Sequence, residues 1–274
     1  MCATCGCSGT AVVRLFPDVP AGAAGTRQHA HPHANHEHGQ HEHQIHHHDG
    51  SLQGDERTVQ LEQKVLAKND RLADQNRDWL RERGVLAINL MSSPGAGKTT
   101  LLERTAREMG SKMAISVIEG DQAAMLDAER IRSSGCHVVQ INTGAGCHLD
   151  AEMVSRALRS LDPAAGSIVM IENVGNLVCP ALFDLGEQAR VVLASTTEGA
   201  DKPLKYPHMF RQADLVLLNK IDLLPYVDFD IREYASGLRQ VTPHALFLQV
   251  SATTGEGMQT WYDWLRRRTL PPHE

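Results

Sequence analysis

The chain has 274 residues, a formal net charge of −6 and 42% hydrophobic residues, enough for one full α/β domain with a further segment left over. The acidic balance gives no general attraction to phosphate backbones or anionic lipid, so neither nucleic acid nor membrane is expected as a partner. No apolar run reaches the roughly 18 residues of a membrane span and the first residues lack a basic-then-apolar leader, which together read as a cytoplasmic protein.

The amino-terminal region is dominated by metal-binding side chains. Cys2, Cys5 and Cys7 are crowded together, and ten histidines fall between His29 and His48, a density that packing does not require. In a reducing compartment such closely spaced thiols point to metal ligation rather than disulfides. Three thiolates with a backbone or terminal nitrogen complete a four-coordinate site. Planar mixed N/S donors favour Ni²⁺, while the same thiolates would hold Zn²⁺ tetrahedrally. No second ligand pair follows at finger spacing, which argues against a structural zinc finger. The tract from His29-Ala30-His31 to His46-His47-His48 offers many interchangeable imidazoles and reads as a metal buffer. Because it is internal and broken by Glu, Ala and Pro, it differs from an expression tag. Residues 1–54, poor in large apolar side chains, are read as a disordered metal-binding arm.

Residues 55–84 show apolar pairs at Val65/Leu66, Leu72/Ala73 and Trp79/Leu80, a seven-residue recurrence that predicts one long amphipathic helix closed by Gly84. The stripe either packs on the next domain or pairs with a second copy. From residue 85 to 274, apolar runs alternate with helical stretches: 85–91, 113–118, 138–141, 168–171, 191–194, 215–218 and 246–250. Strands apolar on both faces and separated by helices predict an α/β fold with a mostly parallel sheet covered on both sides. Ligands of such sheets bind beyond the carboxyl ends of the strands.

Directly after the first of these runs stands Ser92-Ser93-Pro94-Gly95-Ala96-Gly97-Lys98-Thr99-Thr100, a phosphate-binding loop between a strand and a helix. The backbone N–H groups of Gly95 to Gly97 cradle phosphate, Lys98 reaches the β/γ oxygens, and Thr99 gives a hydroxyl to Mg²⁺. Ser92 replaces the motif's first glycine, so an ordinary negative φ is expected there. The nucleotide base is read from Asn219-Lys220-Ile221-Asp222, whose carboxylate would accept from guanine N1–H and the exocyclic amine. ATP would leave that acceptor unpaired. Ser251-Ala252-Thr253 resembles the loop whose backbone contacts the guanine O6. GTP is therefore the expected nucleotide. Asp121 and Glu172 are placed to serve Mg²⁺ and the γ-phosphate, and Gly175 to sense it. With no glutamine to orient water after Gly175, slow hydrolysis is expected, with Asp121 the preferred base and Lys98 and Glu172 as its catalytic companions.

A third candidate metal region comprises Cys147, His148 and Cys179. Cys179 lies four residues past Gly175, so movement of that loop would move a ligand. A lone cysteine is more often a small buried hydrophobe, and Cys136 is read that way.

Taken together, these motifs resemble those of the hydrogenase nickel-incorporation GTPase family HypB: Cys2-x-x-Cys5-x-Cys7, the His-rich arm, Ser93 to Thr100, Glu119-Gly120-Asp121, Gly146-Cys147-His148-Leu149-Asp150, Glu172 to Pro180 and Asn219-Lys220-x-Asp222. The resemblance implies a tight nickel site at Cys2, Cys5 and Cys7, and a weaker nickel or zinc site at Cys147, His148 and Cys179 in a GTP-promoted homodimer interface. The partners it implies are a zinc-binding accessory protein, the hydrogenase large-subunit precursor and a nickel-supplying chaperone. Three other readings stand beside it: a urease-type nickel-insertion GTPase, a metal store with a regulatory nucleotide domain, and a P-loop kinase, against which Asp222 argues.

Overall fold

The structure, a computed structural model, describes residues 12–15, 51–121 and 126–269, with side chains at 63–121 and 128–269. Cys2, Cys5, Cys7 and the histidine tract lie outside the described residues. In chain order the strands are β1 (Val12–Leu15), β2 (Leu86–Ser92), β3 (Ile115–Asp121), β4 (His137–Asn142), β5 (Ile168–Glu172), β6 (Ala189–Ser195), β7 (Leu215–Asn219) and β8 (Leu246–Gln249). The main helices are α1 (Ser51–Glu82), α2 (Lys98–Met109), α3 (Leu126–Ser133), α4 (Ala151–Leu161), α5 (Lys202–Lys205), α6 (Pro207–Arg211), α7 (Ile231–Val241) and α8 (Met258–Arg268).

The strands form one sheet in the order β1-β4-β3-β5-β2-β6-β7-β8, with every pair from β2 to β8 parallel. All seven apolar runs read as strands are strands. Alternate residues of β2 divide the two layers. Leu86, Ile88 and Leu90 pack under α2, α3 and α8. Ala87 faces α1 and α4, and Met91 faces α6 and α7. A strand buried on both sides has no polar face, which is why these runs show no alternation.

The segment read as a disordered arm contributes an element that was not anticipated. Val12 to Leu15 pair antiparallel with β4, Val12 opposite Asn142 and Leu15 opposite Val139. Four residues are too few for periodicity to register, but the free edge of β4 supplies the backbone partners that make a short β-branched run a strand.

Helix α1 begins at Ser51, four residues before the Asp55 read from sequence. It ends on a Schellman cap: Gly84 sits at φ +61°, its N–H bonds Arg81 O and the Val85 N–H bonds Leu80 O. Its stripe packs on the chain's own domain, with Leu80 fully buried among residues of β2 and α4. Two asparagines on that stripe tie it down. Asn69 Nδ2 donates to Asp184 O and Oδ1 accepts from Ala151 N; Asn76 Nδ2 donates to Ala151 O and Leu185 O at 2.8 and 3.0 Å. Asn76→Ala would remove two buried hydrogen bonds and leave the Leu185 carbonyl without this donor, and is expected to destabilise the fold by about 2–4 kcal/mol, measurable as a lower midpoint in urea unfolding. Among the described residues no helix is long and apolar enough to cross a membrane.

Candidate nucleotide and metal site

The motif segments picked out in residues 85–274 follow the carboxyl ends of the parallel strands, where a cavity of about 550 Å³ is lined by the phosphate loop, Glu119 to Asp121, Arg130, Glu172 to Gly175 and Lys220. The phosphate loop joins β2 to α2, which begins at Lys98, two residues before the start read from sequence. Gly95 and Gly97 have φ of +75° and +100°, turns that aim successive N–H groups inward. A Cβ on Gly97 would stand 2.6 Å from Asn219 Nδ2, so no larger residue fits. Ser92 is not among the positive-φ residues, as expected for its substitution, and its hydroxyl accepts from Lys98 Nζ at 2.9 Å. Lys98 is thus held at the loop's mouth by a neutral hydroxyl, a contact that phosphate oxygens can replace.

Thr99 Oγ1 donates to Glu172 Oε1 at 2.8 Å, and Asp121, half-buried at the end of β3, lines the same cavity. A hydroxyl with two carboxylates is a hard oxygen set that fits Mg²⁺. On the base side, Asn219 clamps two loops: Nδ2 donates to Ala96 O at 2.9 Å, and Oδ1 accepts from Ala252 N at 3.0 Å. Ser251 Oγ accepts from Thr254 N within the turn that carries Ala252. Lys220 adopts the left-handed region at φ +62° and its Nζ bonds Gly95 O at 2.7 Å. Asp222 Oδ1 is buried with no hydrogen-bond partner. An orphaned carboxylate oxygen calls for donors, and guanine supplies two.

Cys147, His148 and Cys179 come together, with one ligand atom from each lying within 4.8 Å of the other two. They form the one such cluster among the described residues. Cys147 and His148 lie on the loop from β4, whose turn is pinned by Thr143 Oγ1 to Gly146 O at 2.9 Å. Cys179 opens the 3-10 turn Cys179–Leu182 after an Asn176 side-chain turn onto Val178 N. The His148 ring stacks on Phe183, centroids 3.9 Å apart. Burial holds its pKa below the usual histidine range although Asp150 pulls it upward, favouring the neutral, ligating imidazole. Cys136 is the buried apolar case expected: its Sγ donates to Ile115 O at 3.2 Å, and burial pushes the thiol up to about 11.

Sequence reasoning missed four residues of this region: Glu119 and Arg130 in the cavity wall, Asn173 between its two loops, and Glu198, which accepts from Ser93 Oγ at 2.5 Å and whose carboxyl is held above its ordinary range by burial. Glu119 and Asn173 stand inside the segments quoted as motifs. No signal in the sequence marks Glu198, which approaches Ser93 only through the β2–β6 pairing.

The profile of the family described as CobW/HypB/UreG, nucleotide-binding domain, matches residues 86–249. The hydrogenase maturation factor HypB of Rhizobium leguminosarum bv. viciae is 55% identical over 210 residues, which cover 77% of this chain and 70% of that one. Among solved structures, HypB from Archaeoglobus fulgidus aligns with a TM-score of 0.70 at 41% identity, covering 74% of this chain and all of that one. HypB from Helicobacter pylori in complex with nickel aligns with a TM-score of 0.68 at 34% identity, covering 76% and 99%.

Proposed function

Since the chain belongs to the CobW/HypB/UreG family, and within it to the hydrogenase maturation factors HypB, we propose that it hydrolyses GTP and carries nickel to a hydrogenase large-subunit precursor. The observation that carries this reading is the union of two sites on one loop: Gly175 packs on the phosphate loop at Pro94, and four residues later Cys179 completes the Cys147/His148 cluster.

In this reading Gly95 to Gly97 cradle the phosphates, Lys98 leaves Ser92 for the β/γ oxygens, and Thr100 continues the loop into α2. Asp222 takes the guanine donors, while Asn219 and Lys220 hold the base loop against the phosphate loop, Ala252 N–H fixes Asn219, and Ser251 holds the turn that carries Ala252. Thr99, Glu172 and Asp121 would hold Mg²⁺, which when bound would supply charge neutralisation to the phosphates. Asp121 is the group that accepts the proton of the attacking water, and with no glutamine after Gly175 to orient that water hydrolysis is slow.

Nickel is the cargo. Cys147, His148 and Cys179 hold it while GTP is bound and release it after hydrolysis, and Zn²⁺ occupies the same N/S donors in competition. Cys2, Cys5 and Cys7 form the tighter store, with the histidine arm as buffer. GTP and metal promote a homodimer through the cluster's face, where Val178 and Leu182 stand about half exposed as apolar contacts. The zinc-binding accessory protein and a nickel-supplying chaperone act in the same cytoplasmic hand-over.

The test is a nickel titration of the full chain, with Cys2, Cys5 and Cys7 replaced by serine, in GDP and in a non-hydrolysable GTP analogue. The internal site should bind at least about tenfold tighter with the analogue, within the usual span of coupling between two sites. Equal affinities would reduce the protein to a metal store whose nucleotide domain serves something else.

A further inference from the structure

Resting on that reading, we propose that Asn173 is the positioning residue of the metal site: it anchors the Cys147/His148 loop to the sheet, so that nucleotide-driven movement beyond Val174 shifts Cys179 against a fixed pair. Asn173, 1% exposed, directly follows β5. Its N–H bonds Leu90 O at 3.0 Å, joining it to the strand that precedes the phosphate loop. Its side-chain Oδ1 accepts from Leu149 N at 3.2 Å and from Val174 N at 3.0 Å. Leu149 is the residue after His148, so one amide oxygen holds the root of the Cys147/His148 loop and the root of the Cys179 loop at once.

The direction of that amide is set from inside the protein. Glu187 receives Arg190 Nε at 2.6 Å and Leu185 N at 2.7 Å. As a charged carboxylate it can only accept, so Asn89 must turn its NH₂ toward it, as seen at 3.2 Å. Asn89 Oδ1 then faces Asn173 and accepts from its Nδ2 at 3.2 Å. Asn173 is left with its oxygen toward Leu149 and Val174. The chain Glu187–Asn89–Asn173 thus fixes one orientation out of two in a buried polar network, where a wrong one leaves acceptors facing each other.

Burial divides the loop at this residue. Glu172, Asn173 and Val174 are buried, whereas Gly175, Asn176 and Leu177 are half-exposed and Val178 is exposed. Gly175 meets Pro94 so closely that a Cβ would stand 3.0 Å from its Cα, so a change at the phosphate loop reaches the segment leading to Cys179 first. Cys147 and His148, tied through Leu149 to Asn173 and the sheet, do not follow. The cluster closes or opens by motion of one ligand against two.

The experiment compares wild type, Asn173→Ala and Asn89→Ala as full chains with Cys2, Cys5 and Cys7 replaced by serine. Nickel affinity is measured with GDP and with the GTP analogue, alongside GDP affinity and the unfolding midpoint. Asn173→Ala should weaken nickel binding in the analogue state about tenfold, the loss of one buried hydrogen bond, and shrink the difference between nucleotides, with any loss of GDP affinity smaller than the loss for nickel. Asn89→Ala should move nickel affinity the same way by less. In a Cys147→Ala background Asn173→Ala should cost nothing further, which a merely structural role would not produce. Undiminished nickel affinity in Asn173→Ala, or a loss equal for nickel and GDP, overturns the proposal. If wild type itself binds nickel equally with both nucleotides, the coupled cycle fails. The anchoring role is then judged by nickel affinity alone.

Discussion

Asp222→Ala is expected to lower GTP and GDP affinity by about a thousandfold while leaving the fold intact. The carboxylate stands at the carboxyl end of β7 in the 3-10 turn Ile221–Tyr226, with Oδ1 buried and without a partner. In the complex it would accept two hydrogen bonds from guanine, each charge-assisted and contributing about 1.5–3 kcal/mol, so their joint loss is about two to four orders of magnitude in Kd. The free protein does not lose a bond at this atom, so its unfolding midpoint should hold. Asp222→Asn makes the sharper test: an amide that donates where the carboxylate accepted clashes with the guanine amine but suits the carbonyl of xanthine. Competition of GTP, xanthosine triphosphate and ATP for a fluorescent nucleotide would read it. If ATP displaces the probe from wild type as well as GTP does, the assignment of Asp222 to guanine is wrong.

Cys147→Ala combined with Cys179→Ala is expected to abolish thiolate-bound nickel in a chain whose Cys2, Cys5 and Cys7 are serine. Losing even an outer-shell partner costs a metal site about 10–100-fold in affinity, and two of three converging ligands are removed here. The thiolate-to-nickel charge-transfer absorption isolates this site from the histidine arm, whose imidazoles do not give it. Nucleotide affinity should stay near the wild-type value, because neither cysteine lines the nucleotide cavity. Cys136→Ala is the matched control: its thiol faces Ile115 O and the apolar core, so it should leave nickel absorption untouched. Persistence of the absorption in the double variant would place the nickel thiolates elsewhere.

Much of this was legible in the residue string, for a specific reason. Strands buried on both faces appear as apolar runs, and seven of them fell where β2 to β8 stand. The phosphate loop and the Asn219 to Asp222 segment are local: their chemistry depends on neighbours in sequence, held by glycine φ values and strand ends. The Schellman cap at Gly84 is local too. By contrast, Val12 to Leu15 become a strand only because β4 is left with an open edge, a partner 124 to 130 positions away by register on which four residues carry no information. The packing of the α1 stripe on its own domain was open for the same reason. Asn69 and Asn76, which carry no signal in the seven-residue recurrence, find their partners only in the carbonyls of residues 151, 184 and 185.

What the sequence by itself determined was therefore the inventory: a parallel α/β sheet, a phosphate loop and a guanine-type base motif, with Cys147, His148 and Cys179 as a candidate metal region that the family resemblance implies. The first three follow from local propensity, from periodicity and from spacing over a few residues; the metal region does not follow from spacing. What only the tertiary structure decided was which of these groups meet. The adjacency of β4, β3 and β5 brings Cys147 and His148 to within 4.8 Å of Cys179, and the β2–β5–β6 pairings line up Glu187, Asn89 and Asn173 into one hydrogen-bonded chain. Contacts between residues 31 to 98 positions apart depend on strand order and register, and no short window of sequence contains those.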